Sequence, residues 1–455
     1  MVTTTRPAPF LPDAPIRRWM HPLLRFMEIE QTSGILLLIC TVIALGMSNS
    51  PWAHDWEHFW HLNVAFSVGS WTMDGSLSHW INDGLMVLFF FVVGMEVKRE
   101  MVLGELRNPR KAALPIFGAL GGMVVPAGIY LALQWGEPGQ HGWGIPTATD
   151  IAFVVGFLSL LGSRVPPGLK MFLLTLAIVD DIGAVLLIAI FYSGDVNAGL
   201  LFAGLGGCLL CVVFNQVGVR RIPVYTIVGI GVWLAFFHSN VHPTIAGVML
   251  GLLTPTQAWV GLPDLRAAIE DAQLRLKSIE GTHQPQTDWR WGVLALAARE
   301  AVAPLERLER ALHPWVAFGI MPLFALANAG VTVEPQALEG GVSLACALGL
   351  VVGKSFGIFF FSWLAVRSGF AQLPTGVNLK VLFGGACFGG IGFTMALFIA
   401  NLALKGELLA SAKVGVLAGS TVAVLLGVGW LYFTLPRRVE MPHHQSATSL
   451  QPAPS

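Results

Sequence analysis

Apolar runs recur along nearly the whole of this chain, each close to the length of a helix that crosses a bilayer. About 20 mainly apolar residues span a hydrocarbon core as a helix. Twelve candidate runs centre near residues 41, 90, 124, 155, 179, 207, 230, 249, 324, 354, 392 and 424, the seventh and eighth being short. Composition points the same way. Charged residues make up 12% of the 455 residues and hydrophobic ones 54%, where a soluble domain carries about 25% charged. A mean hydropathy of +0.67 leaves too little polar surface to face water, whereas a lipid-solvated protein needs little. The 15 tryptophans and 28 phenylalanines suit headgroup zones. The fold class expected is therefore an all-α polytopic membrane protein of about twelve transmembrane helices.

Basic residues supply an orientation, because they concentrate in cytoplasmic loops. They precede the first run (Arg17, Arg18, Arg25) and recur between runs two and three (Lys98, Arg99, Arg107, Arg110, Lys111), four and five (Arg164, Lys170) and six and seven (Arg220, Arg221). They return through 256–310, between runs ten and eleven (Arg367, Lys380) and after run twelve (Arg437, Arg438). Intervening loops are nearly free of them, apart from Lys405 and Lys413. This alternation predicts an even count with both termini cytoplasmic. The expected organisation is a cytoplasmic N-terminal segment over 1–30, one transmembrane domain over 31–435 and a disordered tail over 436–455. No A-x-A-like cleavage site follows the first run, so it is expected to stay as a helix.

Two segments depart from the bundle. Residues 64–78 alternate around Asp74-Gly75, a favourable turn pair, and predict a small hairpin on the outer face. Residues 256–310 form the longest polar stretch, read as a cytoplasmic helix and linker, with a helix-start signal and helical period over Pro263–Lys277. RWGVLALAA (290–298) is too short to cross. Cys40, Cys208, Cys211, Cys346 and Cys387 lie in apolar stretches without metal-ligand spacing, which reads as packing. Arg plus Lys balances Asp plus Glu at 27 each, so nothing calls for nucleic acid as a partner.

Charges inside apolar runs carry the functional argument. Asp180 and Asp181 sit mid-run in MFLLTLAIVDDIGAVLLIAIFY (171–192), where each carboxylate costs about 2.5–3.5 kcal/mol on translocon scales. A packing pair at a helix end is the plain alternative, but adjacent acids aggravate each other's burial. Two carboxylates supply hard oxygen ligands for Na⁺; a site that holds either the cation or protons is a minimal exchanger. Lys354 is the only basic residue deep in a run. Either it snorkels to headgroups or it pairs with one of the two aspartates and carries a proton itself.

Asp150 closes GIPTATD ahead of an apolar run, where it or Thr149 is placed to cap a half-helix. GGACFGGIGFTMALFIA concentrates glycine at the middle of run eleven. Gly- or Pro-interrupted segments in corresponding places of two halves point to broken helices around a midplane site in inverted-repeat transporters; close helix packing is the alternative. With Asp150, Asp180, Asp181 and Lys354 together, two broken helices are the expectation. Glu96 and Glu100, four apart on one helix face, read either as interfacial partners of Lys98 or Arg99 or as a cation-attracting, pH-responsive funnel. His242 reads as a cap or as a group titrating near neutrality. No Walker loop or HExxH pattern is present, and no cofactor is expected.

Long stretches of the chain resemble the NhaA-type Na⁺/H⁺ antiporters over roughly 15–435. They are WINDGLMVLFFFVVGMEVKRE, GWGIPTATDIAFVVGFLSLLGSRVP, LAIVDDIGAVLLIAIFY, HPWVAFGIMPLFALANAG and GGIGFTMALFIANLA. The resemblance implies an inner-membrane exchanger that extrudes Na⁺ or Li⁺ electrogenically against two protons and so regulates internal pH and sodium. It implies inverted-topology repeats, with Asp181 as main cation ligand and Asp180 as its partner and the ion-pair mate of Lys354. Thr149 and Asp150 would sit at the crossing. Glu96, Glu100 and Glu309 would form a cytoplasmic pH-sensing cluster tuned by His242, and the 64–78 hairpin would join a homodimer. Arg310 replaces a histidine common in the family, and the 256–305 linker is long. A Na⁺-coupled symporter of an organic solute is the alternative function; it needs a polar cavity lining not visible here. A channel lacks a filter repeat, and an intramembrane enzyme lacks its constellation.

Overall fold

The computed structural model describes residues 30–69, 71–219, 221–279, 289–332 and 340–436. Most of the expected N-terminal segment, nearly all of the expected tail, Arg220 and part of the linker lie outside these residues.

Each apolar run becomes a helix because an intrahelical ladder satisfies every backbone group without water. In chain order these are α1 (Glu30–Ser48), α2 (Ala53–Trp60), α3 (Leu77–Val102), α4 (Pro109–Gln134), a 3₁₀ segment (Pro138–Thr147) leading into α5 (Ile151–Leu160), α6 (Pro167–Phe191), α7 (Ala198–Val217), α8 (Ile222–His238) and α9 (Thr244–Leu253). The polar stretch contributes α10 (Leu262–Ile279) and α11 (Trp289–Glu300). Then follow α12 (Pro304–Asn328), α13 (Gly341–Arg367), α14 (Leu379–Gly389), α15 (Phe393–Ala403) and α16 (Gly406–Thr434).

Seven of these helices are long and apolar enough to cross a membrane, and three further pairs pass together across a bend: α1 with α2 at 119°, the 3₁₀ segment with α5 at 50°, and α14 with α15 at 44°. Helices α8 and α9 are shorter, at 17 and 10 residues; α9 rises only about 15 Å. The chain is thus a polytopic helical membrane protein. Helix α12 starts at Pro304, inside the stretch read as linker, so Glu309 belongs to a candidate span rather than to a surface segment.

Small residues let the helices approach. Gly94 of α3 faces Gly251 and Val248 of α9; a Cβ there would lie 2.6 Å from the Val248 carbonyl oxygen. Gly121 and Gly122 of α4 face Gly357, Phe361 and Ile358 of α13. Such contacts replace the hydrophobic drive that lipid removes. The most deeply buried core surrounds α6, α13, α14 and α15, including Leu173, Leu350, Phe388 and Phe398. The five cysteines are buried and free.

One expectation fails in detail. The hairpin exists, with β1 (Asn63–Val68) antiparallel to β2 (Trp71–Ser76), but Asp74-Gly75 is not its turn. Asp74 pairs with Ala65 and Gly75 with Val64, and the chain reverses between Val68 and Trp71, where Gly69 adopts φ +64°. Glycine tolerates that left-handed backbone. Gly75 instead leaves room for the His79 imidazole, which a Cβ would strike.

Candidate functional site

The centre of the bundle is built by two interruptions that cross. After the 3₁₀ segment, Ala148 (ψ 151°) and Asp150 (ψ 103°) are extended before α5 begins. Between α14 and α15, Gly390, Ile391 and Gly392 break the second helix. The strands meet through Asp150 N–H donating to Ile391 O at 2.7 Å. Gly392 keeps this approach close, because a Cβ would lie 3.2 Å from the Ala148 carbonyl oxygen and 2.8 Å from the Leu350 side chain.

Breaking two helices at mid-depth orphans donors at each new N-terminus and acceptors at each new C-terminus. Asp150 serves both N-termini. Its Oδ1 accepts from Phe153 N at 3.2 Å in α5, and its Oδ2 accepts from Thr394 N at 3.1 Å and from the Thr394 hydroxyl in α15. One carboxylate, 1% exposed, therefore faces the positive ends of two half-helix dipoles. Thr149 serves a C-terminus: its hydroxyl donates to Gly389 O at 2.9 Å, the last residue of α14. Of the two residues expected to cap, Asp150 caps α5 and Thr149 caps the opposing half-helix.

Lys354 reaches this crossing from a π-helical turn, Gly349–Lys354, inside α13. Its Nζ donates to Thr149 Oγ1 at 2.7 Å and to Asp180 Oδ2. At 0% exposure it does not snorkel. Asp181, on α6 beside Asp180, is 1% exposed and presents a buried carboxylate oxygen without a hydrogen-bond partner; Asp180 Oδ1 is likewise unpartnered. Asp180, Lys354 and Thr149 thus form one hydrogen-bonded group beside Asp150, whose carboxylate is held by α5 and α15 instead, and Asp181 lies at its edge, in electrostatic range of Asp150 and of Glu96. An ammonium compensates one carboxylate and leaves the other to a mobile cation or a proton. Hard carboxylate and hydroxyl oxygens suit an alkali cation. Among the described residues no group of three or more His, Cys, Asp or Glu side chains is placed to hold a metal ion.

The residues expected to sense pH fall in two places. Glu309 of α12 pairs with Arg99 of α3, and Glu96 lies in electrostatic range of Glu309, Arg99 and Glu100. Glu100 bonds neither Lys98 nor Arg99; its Oε2 accepts from Glu105 N at 3.1 Å and caps the next turn. It also borders a cavity of about 800 Å³ whose wall includes Glu105, Arg107 and Lys111. His242 is elsewhere. Its Nδ1 lies 2.6 Å from Thr244 Oγ1 and accepts weakly from Thr244 N at 3.4 Å, a cap of α9, while Nε2 is 3.5 Å from Asp83. Asp83 precedes Glu96 by 13 residues on α3, about 20 Å along the axis, so His242 is not in contact with the Glu96 cluster.

Several residues here were not singled out from sequence. Thr394 binds Asp150, and its signal was a hydroxyl two residues after the last glycine of the broken run. Asp83 also lies 3.1 Å from His79, and Asn82, Asn328 and Asn401 join α3, α12 and α15 through bonds of 2.9–3.3 Å. The π-helical turn that aims Lys354 had no sequence signal.

Known proteins are similar to this chain over most of its length. Residues 24–431 match the family described as Na⁺/H⁺ antiporter 1. A relative from Rhodopirellula baltica, named Na(+)/H(+) antiporter NhaA, is 48% identical over 427 residues, covering 94% of this chain and 97% of that protein. One of the same name from Rhizobium meliloti is 48% identical over 426 residues, covering 92% and 95%. One from Acidiphilium cryptum, named Na(+)/H(+) antiporter NhaA 2, is 48% identical over 427 residues, covering 94% and 95%. On a match spanning most of its length and relatives at nearly half identity, this chain belongs to the Na⁺/H⁺ antiporter 1 family, whose members are secondary transporters rather than enzymes.

Proposed function

We propose that this protein exchanges Na⁺ or Li⁺ for protons across a bacterial inner membrane, at one site that holds either the cation or protons. The observation that carries this reading is the buried Asp181 carboxylate oxygen, left without a partner beside an Asp180 already engaged by Lys354. Asp181 is the cation ligand. Asp180 is its partner, and the Lys354 pair breaks when Na⁺ enters and draws on both carboxylates. Thr149 and Asp150 hold the crossing in register, so the half-helix ends keep a fixed field on the ion. Two protons per sodium make the cycle electrogenic.

The wider reading follows the same lines. Twelve crossings arise from the seven long helices, the three bent pairs and the short α8 and α9, arranged as inverted repeats with both termini cytoplasmic. The 31–435 transmembrane domain is flanked by polar ends, with the stretch from 256 to the start of α12 as its cytoplasmic linker. Glu96, Glu100 and Glu309 form the inner mouth that attracts cations and responds to pH, supported by the Arg99–Glu309 pair and the adjoining cavity. His242 tunes that response from the far end of α3. The hairpin at 64–78 joins two copies, lipid is the surrounding partner, and no cofactor or nucleic acid takes part.

The test is transport by the purified protein in liposomes carrying an imposed proton gradient. Na⁺ added alone is expected to discharge the gradient. A requirement for an organic solute would instead make the protein a Na⁺-coupled symporter.

A further inference from the structure

The polar stretch between α9 and α12 folds into two helices that the ion site does not use. Both of its ends leave the bundle at one level. Gly247 of α9 packs on Val87 of α3 and Gly251 on Phe91 and Gly94, so α9 runs parallel to α3 and ends near its C-terminal end. Helix α12 starts at that same level, where Glu309 meets Arg99. The two ends are tied: Leu305 N donates to Pro255 O at 3.1 Å, and Trp259 N and Val260 N donate to Glu300 O at 3.0 and 3.2 Å. Glu300, 7% exposed, also pairs with Arg307 of α12 at 3.1 Å. The root of the α10–α11 pair is thereby fixed to the rim of the spans, with Trp259, 62% exposed, beside it. An aromatic ring at this depth is a mark of the headgroup zone.

The pair carries apolar side chains that its own packing leaves uncovered. On α10, Leu262 and Ile269 stand two turns apart on one stripe, 81% and 43% exposed, next to half-buried Leu265, Ala268 and Ala272. On α11, Val293 and Leu296 are 45% and 57% exposed, while Leu294 and Ala297 are half-buried. Arg266 and Glu270 are exposed and pair with each other at 3.2 Å. Within α10, Asp264, Glu270 and Asp271 balance Arg266, Arg275 and Lys277.

We infer that α10 and α11 rest on the lipid surface at this end of the protein, seating Leu262, Ile269, Val293 and Leu296 at the acyl-chain boundary. Lipid is the occupant because the root is continuous with the lipid-facing spans, and an amphipathic helix held at that depth buries its apolar stripe in the interface plane. With its charges balanced, α10 docks by apolar burial and not by attraction to anionic headgroups.

The test uses the full-length protein in vesicles, with its five native cysteines replaced by alanine and exchange verified. Spin labels are placed singly at positions 262, 266, 269 and 270. Labels at 262 and 269 should collide more often with oxygen than with a water-soluble nickel chelate, and labels at 266 and 270 should show the reverse. The pattern should be the same in phosphatidylcholine alone and with added phosphatidylglycerol. Water exposure at all four positions overturns the inference, as does spin–spin broadening at 262 or 269, which would make a second copy the occupant. A pattern that appears only with anionic lipid overturns the apolar docking.

Discussion

Lys354 and Asp180 are both 0% exposed, and the lysine's other hydrogen bond goes to Thr149. Removing one member of such a buried pair strands the other charge and costs about 3–5 kcal/mol, whereas replacing both with uncharged groups of similar shape is close to neutral. Lys354→Met leaves Asp180 uncompensated beside Asp181, so it should sit at the upper end of that range. Asp180→Asn leaves the ammonium only the Thr149 hydroxyl and should sit at the lower end. The double variant should recover most of the loss, giving a coupling of about 3 kcal/mol or more between the sites. Reversible unfolding of the purified protein in mixed micelles, run on the wild type, both singles and the double, measures this coupling. Losses that simply add, with a coupling below about 1 kcal/mol, would refute the idea that the two charges hold each other in the core.

Three further outcomes are expected. Thr394→Val keeps the side-chain shape but removes the hydroxyl that binds Asp150; it should cost about 1.5–3 kcal/mol, as hydrogen bonds to charged groups do, and Thr394→Ser should restore it in a thermal melt. Gly94→Ala places a methyl 2.6 Å from the Val248 carbonyl, so α3 and α9 must separate, at about 1–3 kcal/mol; Gly231→Ala, with nothing within 4 Å, is the control that should melt unchanged. Tyr192, just past the end of α6, donates to His141 O at 2.8 Å and accepts from Gly144 N at 3.2 Å, pinning the 3₁₀ segment. Burial pushes its phenol up to about 12. A raised value means the hydroxyl's contribution is complete below the ordinary phenol value of about 10 and is lost as pH rises from there through the folded one. The stability deficit of Tyr192→Phe should therefore stay constant from about pH 6 to 9.5 by equilibrium unfolding, and a deficit that shrinks across that window would contradict the assignment.

What could be read from the sequence was what lipid makes locally expensive. Asp180, Asp181 and Lys354 stood out because each charge interrupts an apolar run, and the cost of a buried charge needs no knowledge of neighbours. The break at Gly389–Gly392 was legible for a similar reason, since glycine weakens a helix wherever it sits. Pairings across the chain were not legible. Asp150 to Thr394, Arg99 to Glu309 and the three asparagines join residues up to 246 apart, and each partner alone resembles an ordinary polar residue at a helix end. Asp74-Gly75 shows the opposite failure, a strong local turn signal overruled by tertiary packing. Gly75 is there for the His79 ring, and the strands close at Gly69.

If the site exchanges ions as proposed, the crossing accounts for how one this buried can change occupant. Asp150 and Thr149 satisfy the half-helix ends among themselves, so α5 and α15 keep their field whatever Asp181 holds. On the proposed reading, the exchangeable part is one carboxylate and a breakable ion pair. That economy fits a transporter, where binding must be strong enough to select the ion and weak enough to release it.

The most direct test of this account is to add Na⁺ to the purified, weakly buffered protein and record the protons released. The wild type should release protons as Na⁺ binds, with half-saturation rising as the pH is lowered, because cation and proton compete for one site. Asp181→Asn should fold, keep its Lys354–Asp180 pair and release none. Na⁺ binding without proton release, or release that persists in Asp181→Asn, would contradict a single site shared by the two ions.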